Sequence, residues 1–159
     1  PNVTYLIGSG CHPDLFDKLG GYNVQVWHAL SGDEFSKWIV ERDSDGPHVS
    51  GGSNAGLRAI EGGRKALGFR SFNLYGIDCS YANDGQHAGK HYGKRHAQVS
   101  ATVCGRKFLT SPQMIEAANN LVWMVSRKGF KITVHGNSLA KTMVMEAYRQ
   151  MRLNERKAA

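Results

Sequence analysis

Chemistry-bearing side chains cluster in four short segments: Gly8-Ser9-Gly10-Cys11-His12, Gly51-Gly52-Ser53-Asn54, Gly76-Ile77-Asp78 and His135-Gly136-Asn137-Ser138. Each follows an apolar, β-prone run. In the first, Ser9 offers a hydroxyl and His12 a ring that could face a bound oxygen-rich group, although Gly8 and Gly10 also suit a plain tight turn. In the second, two glycines permit close backbone approach to a phosphate or sugar. Ser53 is a candidate cap for the helix that follows, with Asn54 beside it. Positive potential at such a helix start favours an anion by about 0.3–1 kcal/mol. Asp78 suits a ribose or sugar hydroxyl, a Mg²⁺ ion beside phosphate, or the cap of a turn. His135 and Asn137 supply further polar groups, and His135 reads equally as a satisfied core histidine.

A second group lies between Tyr81 and Arg95, a polar, basic, glycine-containing stretch expected to be a long surface loop. Tyr81 could stack on a base or cover the core. His87, His91 and His96 have no familiar zinc spacing, and Gly85, Gly89 and Gly93 oppose a helix that would align them. His87 and His91 are therefore read as candidate general bases or phosphate ligands, with Lys90, Lys94 and Arg95 adding charge. A solvent-facing basic loop explains the same residues.

Several chemistries lack support. Pro13 takes the third glycine position of a dinucleotide fingerprint, and no phosphate loop ending in Gly-Lys-Ser/Thr is present. Trp27-His28 stands where a nicotinamide enzyme wants a ribose carboxylate. There is no G-x-S-x-G elbow, and no carboxylate pair is forced onto facing sites.

Positioning these segments requires strands that all run the same way. Strands are expected at Val3–Ile7, Asn23–Trp27, His48–Ser50, Ser71–Tyr75 and Lys131–Val134. Helices are expected through Leu15 to Leu19, from Ser31 to Glu41, through Leu57 to Leu67 with Gly68 as a left-handed stop, from Gln113 to about Arg127, and from about Leu139 onward. Ser111-Pro112 has the form of a cap followed by proline at the first helical position. Gln98 to Thr110 reads as a β-hairpin. This order predicts one α/β domain over residues 1–159, a Rossmann-like three-layer fold with a mainly parallel sheet and a hairpin addition. In such a sheet the four exits share one edge, where ligands commonly bind.

The 159 residues fit one domain, and the 19 glycines sit singly or in pairs between apolar segments, as tight turns require. No run reaches the roughly 18 apolar residues of a membrane span. The start at Pro1-Asn2-Val3-Thr4 lacks the basic and apolar stretches of a leader. Cys11, Cys79 and Cys104 are odd in number with no C-x-x-C spacing, so reduced thiols and a cytoplasmic location are expected. A net charge of +7 attracts nucleotides, phosphorylated small molecules or nucleic acid. Nucleic acid is the weaker choice because no recognition motif accompanies the charge. A homo-oligomer stays open.

Gly51-Gly52-Ser53-Asn54-Ala55-Gly56-Leu57, with Ala66-Leu67-Gly68-Phe69-Arg70 and Leu74-Tyr75-Gly76-Ile77-Asp78-Cys79-Ser80-Tyr81, resembles the core of the DUF115 family. That family is related to motility accessory factors and to 6-hydroxymethylpterin diphosphokinase-like proteins. The pattern is also similar to bacterial sialyltransferases that use a CMP-activated sugar. The resemblance implies a nucleotide-dependent transferase acting by phosphoryl, diphosphoryl or glycosyl transfer, with Mg²⁺ and a nucleotide or nucleotide-sugar substrate. It implies that Gly51, Gly52 and Ser53 approach the nucleotide, that Asp78 stands at the next functional edge, and that a later histidine, here His87, is the base. A non-catalytic nucleotide-binding or assembly protein fits the same residues. On the transferase reading, Ser53→Ala should weaken nucleotide affinity in calorimetric titration while leaving the melting temperature unchanged.

Overall fold

The computed structural model describes residues 3–82, 97–127 and 129–158. It shows a mixed α/β chain with mostly parallel strands. In order, the elements are β1 (Thr4–Gly8), α1 (Pro13–Lys18), β2 (Asn23–Leu30), α2 (Glu34–Arg42), β3 (His48–Ser50), α3 (Ala55–Ala66), β4 (Ser71–Leu74), β5 (Val99–Val103), β6 (Arg106–Thr110), α4 (Pro112–Val125), β7 (Lys131–Val134) and α5 (Leu139–Ala158).

The five parallel strands fall into two hydrogen-bonded groups rather than the single sheet expected. One is ordered β1-β2-β3, and the other is the pair β4-β7. The register aligns Gly8 with Trp27, Leu30 with Ser50 and Leu74 with Val134. β5 and β6 form the expected antiparallel hairpin. Its two-residue turn places both Cys104 (φ 50°) and Gly105 (φ 74°) in the left-handed region, the type I′ geometry that matches strand twist.

Helix boundaries follow local chemistry. Asn54, not Ser53, caps α3, its side-chain oxygen accepting from the Leu57 amide at 3.0 Å. Gly68 (φ 72°) stops that helix as expected, and the Phe69 amide closes on the Gly63 carbonyl at 3.1 Å. Ser111 caps α4 with Pro112 at the first turn. In α2 the Asp33 cap accepts from the Ser36 amide at 2.7 Å.

The packed core is built almost wholly after residue 56. Leu57 and Ile60 of α3, Ala118, Leu121 and Met124 of α4, Ile132 and Val134 of β7, and Leu139, Ala140 and Val144 of α5 are buried together. Among the described residues before 51, only Ser36, Ile39 and Val49 are buried, whereas Leu6, Val26, Phe35 and Trp38 are exposed. The β4-β7 pair packs one face, formed by Phe72, Leu74, Ile132 and Val134, against that core. Its opposite face, with Ser71, Asn73, Tyr75, Lys131 and Thr133, is exposed. On the edge of β7 where no described strand pairs, the Tyr148 hydroxyl receives the Ile132 amide at 2.9 Å and donates to the Ile132 carbonyl at 3.2 Å.

A buried ion pair joins the layers. Glu61 of α3 is 1% exposed and receives Arg127, just after α4, at 2.7 Å, with Arg64 at 3.6 Å. Removing one partner of a buried pair strands the other charge. Arg127→Ala should therefore cost about 3–5 kcal/mol in denaturant unfolding, and clearly more than Arg64→Ala, whose longer contact contributes less. Equal, small losses in both variants would contradict this account.

Candidate functional site

The rim begins where β3 gives way to α3. Gly52 is locked by contact as well as conformation. At φ 82° it lies so close to α3 that an added Cβ would stand 2.5 Å from Leu57 Cβ. A Cβ on Gly51 would meet Glu61 Cγ at 3.6 Å, so the turn rests on the side chain that carries the buried ion pair. Ser53 is exposed, and its hydroxyl makes no hydrogen bond among the described residues. The first turn of α3 abuts the next exit, because a Cβ on Gly56 would approach Ile77 Cδ1 to 3.0 Å. The segments at Gly51 and Gly76 are thus neighbours.

From Ile77 the chain reaches Asp78, Cys79 and Ser80 through a left-handed Cys79 (φ 54°), a conformation that costs a residue with a Cβ roughly 1 kcal/mol or more. The surroundings hold it there. The Cys79 carbonyl accepts from Thr110 Oγ1 at 2.8 Å, the Asp78 carbonyl from the Ala140 amide at 3.0 Å, and Ser80 Oγ from the Leu139 amide at 3.4 Å. With Ser138 Oγ receiving the Lys141 amide at 3.2 Å, the first amides of α5 are occupied by protein. An anion on this rim must rely on other donors.

The same turn brings Asp78 to the exit of β7. A Cβ on residue 136 would sit 3.4 Å from Asp78 Oδ1, and Gly136 has φ 98°. The positive φ is what favours glycine there, since a Cβ at that distance would make only an ordinary contact. Next to it, Asn137 accepts from Arg106 of β6, whose guanidinium also donates to Thr142 Oγ1 at 3.2 Å and lies 5.0 Å above the Phe108 ring. Two of its five N–H donors are thereby used. Arg106, Lys107, Ser80, Tyr81, Ser100 and Asn137 are among the residues lining a cleft of about 390 Å³ between the hairpin and the β4 and β7 exits.

The expected site residues therefore divide. Asp78, Tyr81 and Asn137 come together at or beside this cleft, with Gly51, Gly52, Ser53 and Asn54 adjacent through Ile77. His135 adjoins them in sequence, but its ring stacks on Tyr75 and contacts Asn73 Oδ1 at 3.2 Å. Gly8, Ser9, Gly10 and His12 are not brought in. Gly8 lies two strands from β3, about 10 Å across, and is set back three residues, about 10 Å along the strands, from Ser50. Its close neighbour is the Trp27 ring, and His12 Nδ1 accepts from the Asp14 amide at 3.3 Å at the start of α1. His87, His91 and His96 lie outside the described residues.

Arg106, Lys107, Ser80 and Ser100 escaped the sequence reading as site residues. Arg106 and Lys107 directly follow the hairpin turn, which was the available signal, but nothing local says that the hairpin folds over the β7 exit. Among the described residues, no three His, Cys, Asp or Glu side chains gather as a metal set. Asp78 alone fits a Mg²⁺ ion held mainly by phosphate oxygens and water, not one enclosed by protein.

Comparison with known protein families, curated proteins and solved structures finds no match for this chain.

The cysteines are all free thiols, with Cys11 and Cys104 exposed and Cys79 buried. Burial, reinforced by the charge of Asp78, pushes the Cys79 thiol up to about 11. A raised thiol pKa leaves little of the reactive thiolate near neutrality. At pH 8, iodoacetamide should modify Cys11 first and Cys79 only after denaturant is added, as read by peptide mass spectrometry. Native-state labelling of Cys79 at the rate of Cys11 would mean that the Asp78-Cys79-Ser80 turn opens readily.

Proposed function

We propose that the chain binds a nucleotide or similar phosphorylated small molecule in the cleft beside Asp78, and transfers a phosphoryl, diphosphoryl or glycosyl group from it. One observation carries the reading: Asp78 Oδ1 lies beside Gly136 while the adjacent Asn137 accepts from Arg106, which lines the cleft. A carboxylate suited to hydroxyl groups thus stands two residues before Ser80 of a cleft whose lining includes a guanidinium suited to phosphate. The cleft volume lies within the range of small-ligand pockets, about 300–1,000 Å³. A Rossmann-like arrangement of the parallel strands is part of this proposal. The resemblance of Gly51–Tyr81 to DUF115-type and sialyltransferase cores supports it.

In the proposed chemistry, Arg106 and Lys107 stabilise charge that develops on the phosphate leaving group. Asp78 orients a ribose or acceptor hydroxyl. Ser53, exposed at the start of α3, offers a further hydroxyl to the phosphates. A Mg²⁺ ion, when bound at Asp78, would neutralise phosphate charge. The base for glycosyl transfer is assigned to His87 or His91.

A second reading, nucleotide binding without catalysis, is favoured by the lining itself. Its described residues include Ser80, Tyr81, Arg106, Lys107 and Asn137 but neither a histidine nor a carboxylate.

Calorimetric titration with pyrophosphate and nucleoside diphosphates tests the binding claim, and release of nucleotide product across a panel of acceptors tests transfer. Losing a charged hydrogen bond should cost about 1.5–3 kcal/mol, so Arg106→Gln should weaken pyrophosphate binding about 10- to 100-fold. Lys107→Gln, which disturbs no described contact, should weaken it less. Wild-type protein that binds neither pyrophosphate nor any nucleotide would remove the proposal, and binding without turnover would select the second reading.

A further inference from the structure

We infer that Tyr75 is a stacking platform for the base of a nucleotide whose phosphates occupy the Arg106 cleft, an inference that rests on the cleft reading above. Tyr75 follows β4 directly and is 72% exposed. Isolated exposed aromatics are common on protein surfaces, so exposure alone would mean little. The arrangement of this ring is what distinguishes it. Its plane lies 6° from that of the His135 imidazole, with centroids 4.2 Å apart. One face is therefore covered by a parallel ring and the other turns to water.

The support beneath is itself fixed. His135 is tied to β4 by its amide, which donates to the Leu74 carbonyl at 2.9 Å, and by a ring nitrogen 3.2 Å from Asn73 Oδ1. A Tyr ring held flat before a ligand arrives has already lost the rotamer freedom that binding would otherwise cost. The surrounding face of β4-β7 is polar and open, so a planar heterocycle can approach from solvent. Every nucleobase presents a π-face, and stacking on an aromatic side chain is tolerant of base identity.

Position adds to orientation. Tyr75 stands three residues before Asp78, and His135 two before Asn137. At about 3.8 Å per Cα step, Tyr75 lies within about 11 Å of Asp78 and His135 within about 8 Å of Asn137. A base on Tyr75, a ribose near Asp78 and phosphates at Arg106 and Lys107 would follow the order of groups within one nucleotide. The ligand class is thereby narrowed from phosphorylated small molecules in general to nucleotides.

The test separates the base from the phosphates. The whole chain is titrated with pyrophosphate, with ADP, GDP, CDP and UDP, and with the four corresponding nucleosides. At least one diphosphate should bind about tenfold more tightly than pyrophosphate. Tyr75→Ala should abolish that advantage and leave pyrophosphate affinity unchanged, while Tyr75→Phe should keep it. An unchanged melting temperature certifies the fold, since the ring is exposed. Pyrophosphate binding with no advantage for any nucleotide would overturn the platform and leave the cleft reading standing. Tyr75-dependent binding of a nucleoside, with no pyrophosphate binding, would support the platform and remove the cleft. Absence of all binding would remove both.

Discussion

A carboxylate almost wholly removed from water sits between two layers of this protein, and the placement of the rim depends on how it is satisfied. Transferring Glu61 from water costs several kcal/mol unless a partner with good geometry meets it. Arg127 does so at 2.7 Å from just beyond α4, with Arg64 of α3 itself at 3.6 Å. The arrangement allows little freedom. Shifting α3 away from α4 would leave the carboxylate with one distant partner. Because Gly51 rests on the methylenes of Glu61 and Gly52 on Leu57, the β3 exit is carried with the helix. The ion pair therefore sets where the β3 exit lies.

The β4 exit is held by hydrogen bonds. The turn Asp78-Cys79-Ser80 supplies acceptors to the first amides of α5 and takes the hydroxyl of Thr110 from β6. A buried helix start must find such acceptors, and here it finds them in the loop that carries the candidate acidic residue. The left-handed Cys79 is the cost of that arrangement. Its effect is to present Asp78 toward Gly136. Rigidity at this corner contrasts with the flank built from β1, β2 and α2, where few side chains are buried.

The open face of β4-β7 gives the corner its second character. Alternation along these strands sends Phe72, Leu74, Ile132 and Val134 inward and Asn73 and Thr133 outward, and Tyr75 and His135 continue the outward row. An aromatic pair stands on that polar row, with Tyr75 three residues before Asp78 and His135 two before Asn137 of the cleft.

Much of this was legible in the chain itself. The strand at Ser71, the hairpin across Gly105, the Gly68 stop, the Ser111-Pro112 start and the run of α5 from Leu139 are each set by near neighbours, through propensity, capping and turn chemistry. The glycines at 51, 52 and 136 marked turns for the same local reason. Sequence could not divide the five parallel strands into two groups, because pairing depends on which distant strands meet. It could not separate the Gly8 loop from the Gly51 loop, since both are strand exits and only register sets their offset. The choice of Asn54 over Ser53 as cap turned on a one-residue difference in where the helix begins. Arg106, Tyr75 and Glu61 gained their significance from partners dozens of residues away, at Asn137, His135 and Arg127. Local bonding is written residue by residue, whereas such encounters exist only after the layers have packed.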